Sequence, residues 1–197
     1  MQRRPLMLSL VVALIASAVV MVSGVNYALP WLSVTAAALF AALLLASGLN
    51  LNRAWRDAAG DDPAFAAREN ARLLALAYAW GGVAMFSAYT FSSLRWYHAY
   101  QYGAAMLLLA LIAAAYSLVL GRKPAADGKG STALTAGTVL VGLQAVAALA
   151  GVIFLVASGK IASGRSDWLA NQVFLFGGLM IAGLSAMAAI TQRRLLR

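Results

Sequence analysis

The stretch that decides the fold runs from Trp80 to Tyr102, WGGVAMFSAYTFSSLRWYHAYQY. It reads as the outer half of one transmembrane helix, a tight turn, and the start of the next helix. Between Tyr78 and Tyr102 lie nine of the chain's 19 aromatic residues, together with Arg95 and the only histidine, His98. A polar turn between two apolar runs is the element from which the rest of the chain can be laid out.

Outward from this turn the same pattern repeats. Six uncharged runs follow one another, at about residues 6–25, 31–51, 73–91, 99–120, 133–158 and 168–190. Each is close to the ~20 residues that cross ~30 Å of hydrocarbon at 1.5 Å per residue. Transmembrane strands would instead alternate in short segments of about 10 residues. The expectation is an all-α polytopic membrane protein, one domain over residues 1–197, with six transmembrane helices in three helical hairpins. Ala16-Ser17-Ala18 has the form of a signal-peptidase site. The apolar run continues past it, so an uncleaved first helix is expected.

Composition agrees with this layout. The chain is 63% hydrophobic and 11% charged, against about 25% charged in soluble domains. The net charge of +9 sits in short connections between apolar runs. It forms no basic stripe, so no nucleic-acid partner is expected. Twelve Lys and Arg fall in the N-terminus, the 52–72 segment, the 121–132 segment and the C-terminus, against three in the other connections. By the positive-inside rule the twelve face the cytoplasm. Both termini are then cytoplasmic, in a membrane of the bacterial inner (plasma) type. The 52–72 loop is the main polar region. Asp62 and Pro63 have the form of an N-cap and first helical residue, so the third helix is expected to begin near Pro63. Four bases, Arg53, Arg56, Arg68 and Arg72, face four acids, Asp57, Asp61, Asp62 and Glu69, and read as a solvated, self-neutralised helix extension, with a docking face for a partner as the alternative.

Several chemistries lose their footing in this sequence. There is no cysteine, hence no disulfide, thiolate or Cys-ligated metal. One histidine and no carboxylate inside the runs give no three- or four-ligand metal site, and no cofactor is expected. Ion-coupled carriers usually keep an ionisable residue within the bilayer; here none of the six runs contains one. Ser92, Ser93 and His98 lack a nearby acid to complete a catalytic set, so an enzyme is not expected.

The candidate ligand-binding residues are Tyr78, Tyr89, Trp96, His98, Tyr100, Gln101 and Gln144. Trp and Tyr at a membrane interface ordinarily form an anchoring belt. Here they gather on two adjacent helices, and the deeper tyrosine hydroxyls need partners. Gln144, central in the fifth run, is an amide in hydrocarbon and needs a partner as well. Together these residues predict an outward-opening, aromatic-lined cavity on the third and fourth helices. Its expected use is transport of, or a channel for, a small neutral, aromatic or cationic molecule. The alternative is a non-catalytic accessory subunit. Small residues every fourth position, Ala38-Ala42-Ala46, Ala147-Gly151 and Gly178-Ala182-Ala186, read as close helix contacts. They could serve this chain, a homo-oligomer or a partner subunit, with the lipid bilayer as the constant partner.

Overall fold

The computed structural model describes residues 3–26, 29–57, 63–91, 97–122, 129–162 and 168–196. They form six helices: α1 (Arg3–Asn26), α2 (Pro30–Asp57), α3 (Pro63–Phe91), α4 (Tyr97–Arg122), α5 (Lys129–Ala157) and α6 (Trp168–Leu195). Proline opens α2 and α3, where its missing N–H has no intrahelical partner to lose. Gly159, at φ 65°, closes α5 in the left-handed conformation, and its N–H bonds to the Val156 carbonyl at 3.0 Å. Glycine takes this conformation without a Cβ clash.

Among the described residues, four helices contain stretches long and apolar enough to cross a membrane: Trp31–Arg53, Tyr100–Val119, Leu134–Ala157 and Asn171–Arg194. The apolar part of α1, Met7–Met21, is shorter. α3 opens on the apolar Pro63–Ala67 and carries Arg68, Glu69 and Arg72 in its second and third turns. These charges do not form the solvated extension expected. Glu69 and Asn70 are buried, as are Ala66, Ala67 and Ala71 around them. Arg72 Nη1 donates to Glu69 Oε1 at 2.6 Å, and Arg68 Nε lies 3.7 Å from the same oxygen. The reason is position, because α3 is the central helix and packs against α1, α2, α4 and α6.

Trp80 is the centre of this packing. It is fully buried. Its Nε1 donates to Ser17 Oγ of α1 at 3.2 Å, and Ser17 Oγ in turn donates to the Ala36 carbonyl of α2 at 3.3 Å. Its ring stacks on Phe40 of α2, centroids 6.0 Å apart at 25°. The far edge of the indole lies 3.5 Å from where a Cβ on Gly177 of α6 would stand. One side chain thus touches three other helices. A second hydroxyl, Ser33, ties α2 to the Met21 carbonyl of α1 at 2.9 Å.

Glycine sets the closest approaches. A Cβ on Gly82 of α3 would stand 2.6 Å from Leu107 and 3.2 Å from the Gly103 carbonyl of α4. A Cβ on Gly103 would meet the Gly82 carbonyl at 3.3 Å. The two backbones cross with no side chain between them, the small-residue geometry of membrane helix pairs. Gly183 and Gly48 make the same allowance between α6 and α2, under Leu45 and Leu184 respectively.

Two sequence expectations change here. The aromatics of the 78–102 stretch do not form one cluster among the described residues. Trp80 pairs with Phe40, Phe86 with Tyr100 edge-on at 5.2 Å, and Tyr102 with Phe174 at 5.5 Å. Successive helical residues turn by 100°, so sequence neighbours point to different helices. The Ala38-Ala42-Ala46 stripe also faces away from the bundle, with Ala42 and Ala46 exposed. The packed face of α2 is Ala37, Phe40, Ala41 and Leu44. Ala182 of α6, by contrast, is buried. Ala182→Leu is therefore expected to lower stability by about 1–3 kcal/mol through overpacking, and Ala42→Leu to change it by less than about 0.5 kcal/mol. Denaturant titration of both variants in one micelle system checks the contrast, and equal effects would refute it.

Candidate functional site

α4 and α5 approach each other where the Tyr116 hydroxyl covers Gly137, 2.6 Å from a Cβ placed there. Farther along, the two helices leave a groove of about 380 Å³. Its floor comes from α3 and α6 through Tyr78, Gly81, Val173 and Gly177, and its walls include Met106 of α4 and Gly151 of α5. The floor is smooth because Gly81 and Gly177 present no side chain. A Cβ on Gly151 would meet nothing within 4 Å, so this glycine opens onto free space. The volume lies toward the lower end of the range of small-molecule sites, roughly 300–1,000 Å³.

The polar part of the groove is small and central. Gln144 Nε2 donates to Ser185 Oγ of α6 at 2.8 Å, and the Tyr78 hydroxyl stands beside the Gln144 side chain. Three helices meet in this link: α3 through Tyr78, α5 through Gln144 and α6 through Ser185. Gln144 and Tyr78 line the groove, whereas Ser185 lies fully buried behind. No acidic or basic side chain lines it. The arrangement can hold an apolar body and hydrogen-bond one uncharged polar group.

Of the residues singled out from the sequence, the structure brings Tyr78 and Gln144 together. Tyr100 and Gln101 are exposed on α4, and neither lines this groove. The side chains of Tyr89 and His98, and all of Trp96, lie outside the described residues. The lining is mainly aliphatic and small, with Phe154 and Phe174 as its phenyl rings, where an aromatic lining was expected. Asn171 and Gln172, which could have added polarity, instead hold the end of α5. Their amides donate to the Lys160 and Ile161 carbonyls, each at 3.0 Å. Among the described residues no three of His, Cys, Asp or Glu come close enough to share a metal ion.

Ser185 and Gly151 were not assigned these roles from the sequence. For Ser185 the clue was available: a mid-membrane amide needs a partner, and Ser185 is one of the few polar residues in the body of α6. Gly151 was read as half of a packing stripe, and no pattern in α5 says that its side faces a groove.

Fold and site together define an all-helical integral membrane protein with a ligand-sized groove between two of its helices. Comparison with family models, with curated proteins and with solved structures finds no match to this chain.

Proposed function

We propose that this is a non-catalytic membrane protein that binds a small, uncharged, largely apolar molecule in the groove between α4 and α5 and carries it within or across the bilayer. The observation that carries the reading is a pair of polar side chains in mid-helix, Tyr78 and Gln144, at the base of an otherwise apolar groove. An amide placed in hydrocarbon costs free energy unless it is satisfied. Ser185 accepts from its Nε2 here, and the groove side of Tyr78 and Gln144 favours a ligand with a single carbonyl or hydroxyl. The uncharged lining narrows the expected ligand from neutral, aromatic or cationic to neutral. In this reading all six helices cross a bacterial inner membrane as three hairpins, with both termini cytoplasmic, as the distribution of Lys and Arg favours.

Mass spectrometry of the protein purified in mild detergent tests the proposal. A small apolar compound should accompany the native chain and be lost from Gly151→Phe, whose ring fills the groove without meeting another atom at Cβ. Tyr78→Phe keeps the shape and removes the hydroxyl. It should weaken binding of that compound roughly five- to tenfold, the value of one hydrogen bond of about 1 kcal/mol. Equal recovery of the compound from native protein and Gly151→Phe would sink the assignment.

A second reading, an accessory subunit, is favoured by the outward-facing Ala38-Ala42-Ala46 stripe, because lipid-facing small residues suit close helix association. A stoichiometric membrane partner, released by Ala42→Leu, would support it.

A further inference from the structure

Away from the groove just described, a second cavity of about 550 Å³ lies between α5 and α6. It sits at the end of the bundle where α5 begins and α6 finishes. Its deeper part is apolar, lined by Val139, Gly142 and Ala189. Its mouth carries Thr135, Thr138 and Arg193. Gly142 and Ala189 make a narrow trough: a Cβ on Gly142 would stand 3.8 Å from the Ala189 Cβ. The Thr138 hydroxyl is already used, lying 2.8 Å from the Leu134 carbonyl and 2.9 Å from Gln192 Oε1. Arg193 is exposed, has no acidic partner among the described residues, and stands one residue from the end of the apolar stretch Asn171–Arg194. No acidic side chain lines the cavity.

An apolar trough that ends on an unpaired guanidinium, at the level where the spans end, has the shape and charge of a phospholipid turned inside out. The chemistry of each end is specific. The trough takes a methylene chain, whose CH₂ groups gain by leaving water. In a bilayer that term is largely matched by neighbouring lipid, so the trough positions the chain without selecting it. The guanidinium is what selects, because it holds phosphate oxygens in a planar two-point fork. With Arg194 adjacent and no counter-charge in the lining, a headgroup of net negative charge is favoured over a zwitterionic one. Basic pockets between transmembrane helices bind acidic lipids on this principle.

We propose that the cleft between the start of α5 and the end of α6 is a binding site for one anionic phospholipid, its acyl chain along Gly142 and Ala189 and its phosphate on Arg193. A charge contact of this kind contributes about 1 kcal/mol near the membrane surface, which corresponds to roughly a fivefold preference. The site is independent of the ligand reading given for the groove between α4 and α5, because the two share no lining residue.

The test uses the full chain in nanodiscs containing equal amounts of phosphatidylglycerol and phosphatidylcholine, released into native mass spectrometry. The first bound lipid should be phosphatidylglycerol by about fivefold. Arg193→Gln should abolish the preference. Arg194→Gln, whose side chain lies outside the cleft, should leave at least half of it. Gly142→Leu should reduce retention of both lipids by obstructing the trough. Millimolar inorganic phosphate should not displace the lipid. Equal retention of the two lipids by the native chain would overturn the proposal. So would equal losses in Arg193→Gln and Arg194→Gln, which would show a diffuse surface charge. Displacement by phosphate would mark an ion site in place of a lipid site.

Discussion

Trp80→Ala is expected to lower the stability of the bundle by about 3–5 kcal/mol, the range for removing a large aromatic from a packed core. Three losses combine. The indole is fully buried, so its removal opens a cavity among α1, α2, α3 and α6. Its stack on Phe40 disappears. Ser17 Oγ, buried between α1 and α3, keeps its bond to the Ala36 carbonyl but loses the donor at 3.2 Å. Trp80→Phe separates these terms: it keeps most of the volume and the stack, and should cost about 1 kcal/mol for the lost hydrogen bond plus a packing defect. Ser17→Ala combined with Trp80→Phe should be less than additive, because both remove the same bond. Unfolding by denaturing detergent, followed by tryptophan-independent circular dichroism, measures all four proteins. A Trp80→Ala protein within 1 kcal/mol of the native chain would show that the four-helix junction is not the stabilising core.

Gly82→Val should have the next largest effect, a loss of about 2–3 kcal/mol, near the upper end for overpacking. The added Cβ would stand 2.6 and 2.7 Å from two carbons of Leu107. Leu107 can rotate away, but the Gly103 carbonyl at 3.2 Å is backbone and moves only if α4 does. The extra γ-methyls then force the two helices apart. Valine has a higher helix propensity than the glycine it replaces, a gain that offsets part of the loss, and the control removes that term. Gly151→Val makes the same change in α5 at a site with nothing within 4 Å. The difference between the two variants is therefore the α3–α4 contact alone. Equal stabilities would mean that the helices are not in backbone contact at Gly82.

The helices were legible in the sequence because apolar runs and charged connections alternate at membrane length. The start of α3 was legible as well, since proline marks a first turn. What lay hidden was which way each side chain points. Tyr78 and Trp80 are two residues apart and therefore about 200° apart around α3. One reaches toward Gln144, and the other is enclosed by Ser17, Phe40 and Gly177. In one dimension they belong to the same aromatic stretch. Gln144 was legible for a different reason: an amide deep in an apolar helix stands out by its cost alone. The burial of Glu69 could not be read, because a local charge pattern of two arginines and one acid looks the same on a solvated helix and on a central one.

The surroundings of Trp80 also have a temporal side. Its partners stand far apart along the chain: Ser17 is 63 residues earlier, and the helix that carries Gly177 follows all the others. α6 packs against α2, α3 and α5. During synthesis, α1, α2 and α3 are complete before α6, so the Trp80–Ser17 link can form while the α6 side of the indole is still open. The centre closes only when α6 arrives. A chain halted before Trp168 would keep every earlier apolar run yet lack the helix that seals its core, and a quality-control protease could distinguish it from the finished protein by that open side.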